Sequence, residues 1–259
     1  MALCWLPQNA VMNPAQIEAI ERATVHAVSP DAQSEISGWI LPFDAGTVGR
    51  AKSAVPLAHA PPQPSVLQEI EATYAQRGLP AMLRIPVVPA FDGFRSMLAR
   101  QGYREEILTE VHIARACSVR AVSGGAPAEL LAMPDQAWAS VFRGEGFDAV
   151  DGASRVQKLG RAAGSRFALI REDDRPVASG AGAFSHGWAS VHGMRTAQGS
   201  RGRGLAGRVL ATLAGAAMAN GYNDVFLQVA AVNAAAKSLY RRAGFAPAWM
   251  YSYWRQPGA

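Results

Sequence analysis

The sequence predicts an α+β fold made of two lobes of like construction. Helical and strand patterns alternate along the whole chain, and the second half repeats the element order of the first. In addition, Lys237 to Phe245 (KSLYRRAGF) lies over Arg95 to Tyr103 (RSMLARQGY) at an offset of 142 residues (237 minus 95), with Ser, one Arg and Gly identical. Upstream, Asn220-Gly221-Tyr222 meets Arg77-Gly78-Leu79 at an offset of 143. Self-similarity at a near-constant spacing, with the same element order on both sides, is the mark of an internal duplication. We therefore expect a first lobe over 1–116 and a second over 117–259.

The elements follow from local signals. Asn13 caps and Pro14 opens a helix running to Val28. Ser37 to Leu41 and Ala54 to Leu57 read as strands, and Pro61-Pro62-Gln63-Pro64 is a rigid break. Val66, Ile70 and Tyr74 recur every four residues and predict a helix from Val66 to Arg77, ended by Gly78. A strand (81–88), a helix (93–101) and a strand (107–114) close the first half. The second half opens with helices over 135–144 and 150–163. Three strands follow (166–171, 177–184, 189–194), linked by turns at Glu172-Asp173-Asp174 and Ser185-His186-Gly187. The chain then runs through a glycine loop, a helix (205–220), a strand (224–229), a helix (234–243) and a closing strand through Trp249 to Trp254. That last strand carries aromatic residues at alternate positions, which suits a hydrophobic strand between the lobes, with one face open to a cleft.

The composition narrows the function. A chain of 259 residues that is 49% hydrophobic can bury one large core or two small ones. Its net charge of +5 and pI of about 9.6 favour an anionic partner. No long basic run or zinc-knuckle spacing points to nucleic acid. Cys4 and Cys117 lie far apart and read neither as a disulfide framework nor as a C-x-x-C pair. The apolar run from Leu205 to Ala219 holds Arg208 and is too short to span a bilayer, and Met1 to Met12 lacks the pattern of a signal peptide. A cytoplasmic, reducing location with no membrane partner is expected.

The chemistry concentrates in Ser200 to Ala206, where a glycine-rich loop opens a helix. Such a loop turns several backbone N–H groups to one point, backed by the positive end of the helix dipole. It is a place for a phosphate, and Arg195, Arg201, Arg203 and Arg208 surround it in sequence. The first half has nothing comparable. Pro61 to Pro64 occupy the place of the loop, and proline has no N–H to offer. Phe91 stands where Asn233 stands, and Leu98 where Tyr240 stands.

Residues 165–255 resemble the GNAT superfamily of acyl-CoA-dependent N-acyltransferases. Arg201-x-x-Gly204-x-Ala206 matches its loop pattern Q/R-x-x-G-x-G/A, Gly193 to Thr196 resembles the end of its fourth strand, and Asn233 to Phe245 matches N-x-x-A-x-x-L-Y-x-x-x-G-F. The whole chain resembles bacterial proteins with two such lobes in tandem. Their first lobe often carries Arg-Ala-Asn-Ser, and here Arg50-Ala51-Lys52-Ser53 departs from it at Lys52. The resemblance implies two lobes, each a mixed, mostly antiparallel sheet flanked by helices, with the first degenerate. It also implies acetyl-CoA as cofactor, held by Arg201, Gly202, Arg203, Gly204, Leu205 and Ala206 at the pyrophosphate and by Met194, Arg195, Thr196, Asn233 and Tyr240 along the arm.

Tyr240 is the candidate general acid for the departing thiolate, or else a half-buried helix tyrosine. A backbone N–H near Met194 is the candidate oxyanion donor, and its side chain also suits the core. Asn233 suits both the cofactor arm and an N-cap. His192 is the nearest ionisable candidate for the base, with a water relay or a packed core histidine as alternatives. Glu145 and Asp148 are candidates to attract a cationic amine, or belong to a solvated loop. With no cysteine near these motifs, direct attack by a small-molecule or peptide amine in a ternary complex is expected. The chain would act as a monomer with pseudo-dimeric lobes or as a homodimer. The alternative is a non-catalytic acyl-CoA sensor. A P-loop or dinucleotide site fits poorly, because G-K-[ST] is missing and the loop follows too many strands.

Overall fold

The computed structural model describes residues 12–144 and 146–256. Helix α1 (Pro14–Val28) begins at a capping box in which Asn13 and Gln16 exchange side-chain and backbone hydrogen bonds. A hairpin follows, β1 (Ala32–Ile36) and β2 (Trp39–Phe43). This corrects the expected strand over Ser37 to Leu41. Ser37 (φ 47°) and Gly38 (φ 78°) are the left-handed pair of a tight hairpin turn. The polar, largely exposed β1 lacks the apolar alternation that would have marked it.

The rest of the first half is β3 (Val55–Pro56), α2 (Val66–Ala75), β4 (Met82–Pro86), α3 (Asp92–Arg100) and β5 (Arg104–Arg115). The second half holds α4 (Ala116–Arg120), β6 (Glu129–Leu131), α5 (Gln136–Phe142), α6 (Ala149–Arg161), β7 (Arg166–Glu172), β8 (Arg175–Ser185) and β9 (Trp188–Thr196). It ends with α7 (Leu205–Ala219), β10 (Asp224–Ala230), α8 (Ala234–Arg242) and β11 (Ala246–Arg255). The short α4 and β6 lay below what periodicity could detect. Cys117, in α4, is disulfide-bonded, which corrects the expectation of cysteines left unbridged in a reducing location. The two expected turns in the second half are left-handed pairs as well, at Asp173-Asp174 and His186-Gly187.

The strands form a three-stranded sheet, β1-β2-β3, and an eight-stranded sheet in the order β4-β11-β5-β10-β9-β8-β7-β6. A parallel bridge from Ala54 to Leu83 ties the smaller sheet to the edge of the larger. Within the large sheet only β9 and β10 run parallel. The duplication is visible in the elements. Adding 142 carries Asp92–Arg100 onto Ala234–Arg242, and carries the starts of β4 and β5 onto those of β10 and β11. The halves 1–116 and 117–259 interleave, because β11 inserts between β4 and β5, and β5 lies against β10.

Strand alternation sets the two faces of the sheet. Ala168 and Ile170 of β7 pack under α7, whereas Phe167 and Leu169 pack under α5 with Trp138 and Phe142. Helix α1 covers the seam between the halves, where Ile17 and Ile20 meet Val111, Phe226 and Tyr251. At that seam Arg84 of β4 and Glu21 of α1 form a buried ion pair, N to O 2.7 Å. Among the described residues, no helix is long and apolar enough to cross a membrane.

Candidate active site

Strands β9 and β10 pair in register only at Ala189/Val225, Ser190/Phe226 and Val191/Leu227. Beyond that point β9 runs on to Thr196 and β10 to Ala230 without pairing with each other. The other ladder of β9 carries a bulge, where Ala181 and Ser179 of β8 face His192 and Arg195. Gly193, at φ 58°, sits in this bulge, and a Cβ there would come within 2.8 Å of Leu159 and Phe142. The result is a wedge-shaped gap in the sheet, edged by His192 to Thr196. The gap opens into a cleft of about 780 Å³ that takes its walls from both halves, among them Arg50, Thr109, Met194, Asn233, Tyr240 and Tyr251.

The glycine loop lies just past the end of β9, outside the cleft's lining. Gly202 (φ 77°) and Gly204 (φ 78°) are left-handed, and Gly204 is the N-cap of α7. Among the described residues, no protein group accepts from the backbone N–H groups of Gly202, Arg203, Gly204, Leu205 or Ala206. Five successive donors left without acceptors at a helix N-terminus fit a pyrophosphate. Of the nearby arginines, Arg203 pairs with Glu172 (2.7 Å) and Arg208 donates to the Ala126 carbonyl (2.7 Å). Arg195 stacks on Phe147, 4.6 Å from the ring centre, with Arg201 at 5.9 Å from the same ring.

Tyr240 is the one buried residue of α8 and lines the cleft. It packs edge-on against Phe245. Burial pushes its pKa up to about 12, against a smaller pull from Arg195, so the phenol keeps its proton at neutral pH. Asn233 caps α8 by accepting from the Ala236 N–H (3.1 Å). Met194 is half-buried against the α7 core, as its alternative reading had it.

His192 departs from its expected role. It faces α1, on the side of the sheet opposite the core that holds Tyr240. Its Nδ1 lies 3.2 Å from Arg50 Nη1, which can only donate, so Nδ1 accepts and the neutral ring carries its proton on Nε2. Burial, reinforced by Arg50, holds its pKa well below 6.5. No lone pair is left on this imidazole to take a proton, which corrects the reading of His192 as the base. Asp148 is a cap as well, accepting from the Asp151 N–H (2.7 Å). Glu145 lies outside the described residues.

Sequence reasoning missed two groups. Gln228 bridges the seam, giving its Nε2 hydrogen to Thr24 (2.9 Å) and taking the hydroxyl hydrogen of Tyr251 (2.8 Å). An amide inside the apolar run Val225 to Val229 was the available signal. Phe147, under the two arginines, carried none. On β11, Tyr251 and Tyr253 line the cleft and Trp254 packs into the core of the first half, so the strand meets both expectations set for it.

A family model described as "Probable histone acetyltransferase Rv0428c C-terminal" matches residues 14–254. The chain belongs to this family. Its GNAT fold is also that of a GCN5-related N-acetyltransferase from Kribbella flavida, at 21% identity over 94% of this chain and 96% of that one, with a TM-score of 0.69. A tandem GNAT protein from the clavulanic acid biosynthesis pathway is similar at 13% identity over 92% and 94%, with a TM-score of 0.58. A putative GNAT acetyltransferase from Novosphingobium aromaticivorans matches at 18% identity over 92% and 98%, with a TM-score of 0.53. Comparison with curated proteins found no match. These likenesses show the tandem GNAT fold.

Proposed function

We propose that this GNAT protein transfers an acetyl group from acetyl-CoA to a primary amine by direct attack in a ternary complex. The observation that carries the reading is the set of five unpaired N–H groups at Gly202 to Ala206, lying beyond the strand that edges the open gap between β9 and β10. Acetyl-CoA supplies an acetyl thioester: the amine nitrogen bonds to the carbonyl carbon, the carbon–sulfur bond breaks, and the sulfur leaves as a thiol. The chain's groups do the rest. The loop holds the pyrophosphate, and the free edge of β9 from Gly193 to Thr196 offers backbone groups to the arm. The backbone near Met194 stabilises the oxyanion. Tyr240 holds at Oη the proton that the sulfur receives. The ammonium proton passes to cleft water, since among the described residues lining the cleft Asp44 is tied to Lys158 and Glu106 to Arg255, and the second proton, lost by the nitrogen as the amide forms, returns through water to the Tyr240 oxygen. The first half acts as a degenerate lobe that shapes the acceptor side, and the protein works without nucleic acid or membrane.

Thiol release with acetyl-CoA over an amine panel tests the reading, alongside the effect of acetyl-CoA on Tm. A raised Tm with no turnover of any amine would make the protein an acyl-CoA sensor. No change in Tm with any acyl-CoA removes the cofactor assignment itself.

A further inference from the structure

Among the described residues, the cleft between the halves carries surplus positive charge, and the first half supplies two cations that no carboxylate meets. Among the described residues, two carboxylates line the cleft, and both are engaged. Asp44 pairs with Lys158 and accepts from the Gly46 N–H (2.7 Å), and Glu106 pairs with Arg255 (2.9 Å). Arg155 is met by Asp151 (2.6 Å), which Arg195 reaches only at 4.0 Å. Among the described residues, Arg50 and Lys52, both lining the cleft, have no carboxylate partner.

Arg50 is placed with care. It sits on a 3-10 turn, Gly49–Ala51, packed so closely on Tyr253 that a Cβ on Gly49 would lie 3.0 Å from the ring. Its Nη1 donates to His192 Nδ1 (3.2 Å) and to Gln228 Oε1 (3.3 Å), both neutral acceptors. His192 and Gln228 are the first residues past the last β9/β10 pair, so the guanidinium stands where the gap in the sheet begins. The Gln228 amide is oriented by Thr24 and Tyr251, which keeps its oxygen toward Arg50. Burial pulls the pKa of Arg50 down, as expected for a cation short of counter-charge. Lys52 ends the same turn, its backbone N–H bonded to the Gly49 carbonyl (3.1 Å) and its side chain half-buried.

A half-buried cation facing only neutral acceptors carries a desolvation cost, and an anion that reaches it offsets that cost. The same surplus charge disfavours a bound ammonium and pushes its pKa down, so a simple cationic amine gains nothing at this end of the cleft. We infer that the acceptor is an amine that also carries an anionic oxygen group, a carboxylate or a phosphate, and that Arg50 and Lys52 bind that group. This rests on the transferase reading above. It assigns a binding role to the turn where the sequence departs from its tandem relatives at Lys52.

The test is thiol release by the wild-type protein with acetyl-CoA and matched acceptors: the amino acids against their amides, and ethanolamine phosphate against ethanolamine. We expect kcat/KM for the best anionic acceptor to exceed that of its neutral match by about 100-fold or more, the range for a desolvated charge pair. The acid and phosphate arms tell which oxygen group is read. Arg50→Gln should bring the ratio near one while acetyl-CoA still raises Tm, and Lys52→Gln, at a half-exposed side chain, should lower it by a smaller factor. Equal rates for acids and amides overturn the inference, as do turnover of uncharged acceptors only and a ratio unchanged in both variants. So does a complete lack of turnover across the panel by a protein whose Tm still responds to acetyl-CoA. Loss of the Tm response in the wild type strikes the cofactor reading instead.

Discussion

Helices α3 and α8 hold the same place in the duplicated order, and their chemistry is opposite. Leu98 and Phe91, in and before α3, are fully buried in the core of the first half. Their counterparts Tyr240 and Asn233 line the cleft. The loop before α7 is a glycine cradle, while the approach to α2 is Pro61-Pro62-Gln63-Pro64. The strands behave in reverse. Phe226 of β10 is an ordinary apolar residue under α1, while its counterpart Arg84 of β4 is a buried cation paired with Glu21. A duplicated fold can thus keep its packing frame in both copies while the polar groups that face the cleft differ between them.

The largest effect that would break this comparison lies at Arg84. Arg84→Met leaves Glu21 buried without a counter-charge, and we expect a loss of about 3–5 kcal/mol in chemical denaturation. Glu21→Gln with Arg84→Met should recover most of it. At the paired helix positions the effects should separate. Leu98→Ala should cost about 2–5 kcal/mol of stability with kcat per folded molecule unchanged. Tyr240→Phe should lower kcat about 100-fold or more with acetyl-CoA affinity kept. Equal behaviour of the two variants would erase the distinction between the halves.

Gly204→Val forces a β-branched residue to φ 78°, although nothing lies within 4 Å of its Cβ. The fold should survive, and the stabilisation by acetyl-CoA, about 2.7 kcal/mol at 100 times Kd, should vanish. Calorimetry on the wild type should give one acetyl-CoA per chain, and two would mean that the first half is not degenerate.

The smallest effect comes from His192. Its folded pKa is depressed while the unfolded one stays near 6.5, so the unfolded chain binds the extra proton and stability falls as pH drops through about 6.5. Between pH 7 and 5 this amounts to at most about 2 kcal/mol. His192→Gln should flatten that part of the stability–pH curve.

Much of the fold was legible because each signal was local. Asn13 and Pro14 marked α1, Asp173-Asp174 and His186-Gly187 marked hairpins, and the offset of 142 marked the duplication. The hairpin at Ser37-Gly38 was misread because β1 is polar and has no alternation to announce it. In the site, the loop, Met194, Asn233 and Tyr240 were legible as a set, since their order along the chain is itself a motif. Arg50 and Gln228 gained a place in the site only when β11 was seen between β4 and β5, which draws the first half across the second.

The sequence by itself determined the two copies and which of them carries the glycine loop, because glycine, proline and the capping asparagine act on their own backbone within a few residues. The tertiary structure alone decided the state of His192 and the charge of the cleft between the halves. Both depend on Arg50, which lies 142 residues from His192 in the chain and 3.2 Å from it in space. A buried charge takes its meaning from whatever neutralises it, and that is settled only when the sheet has closed.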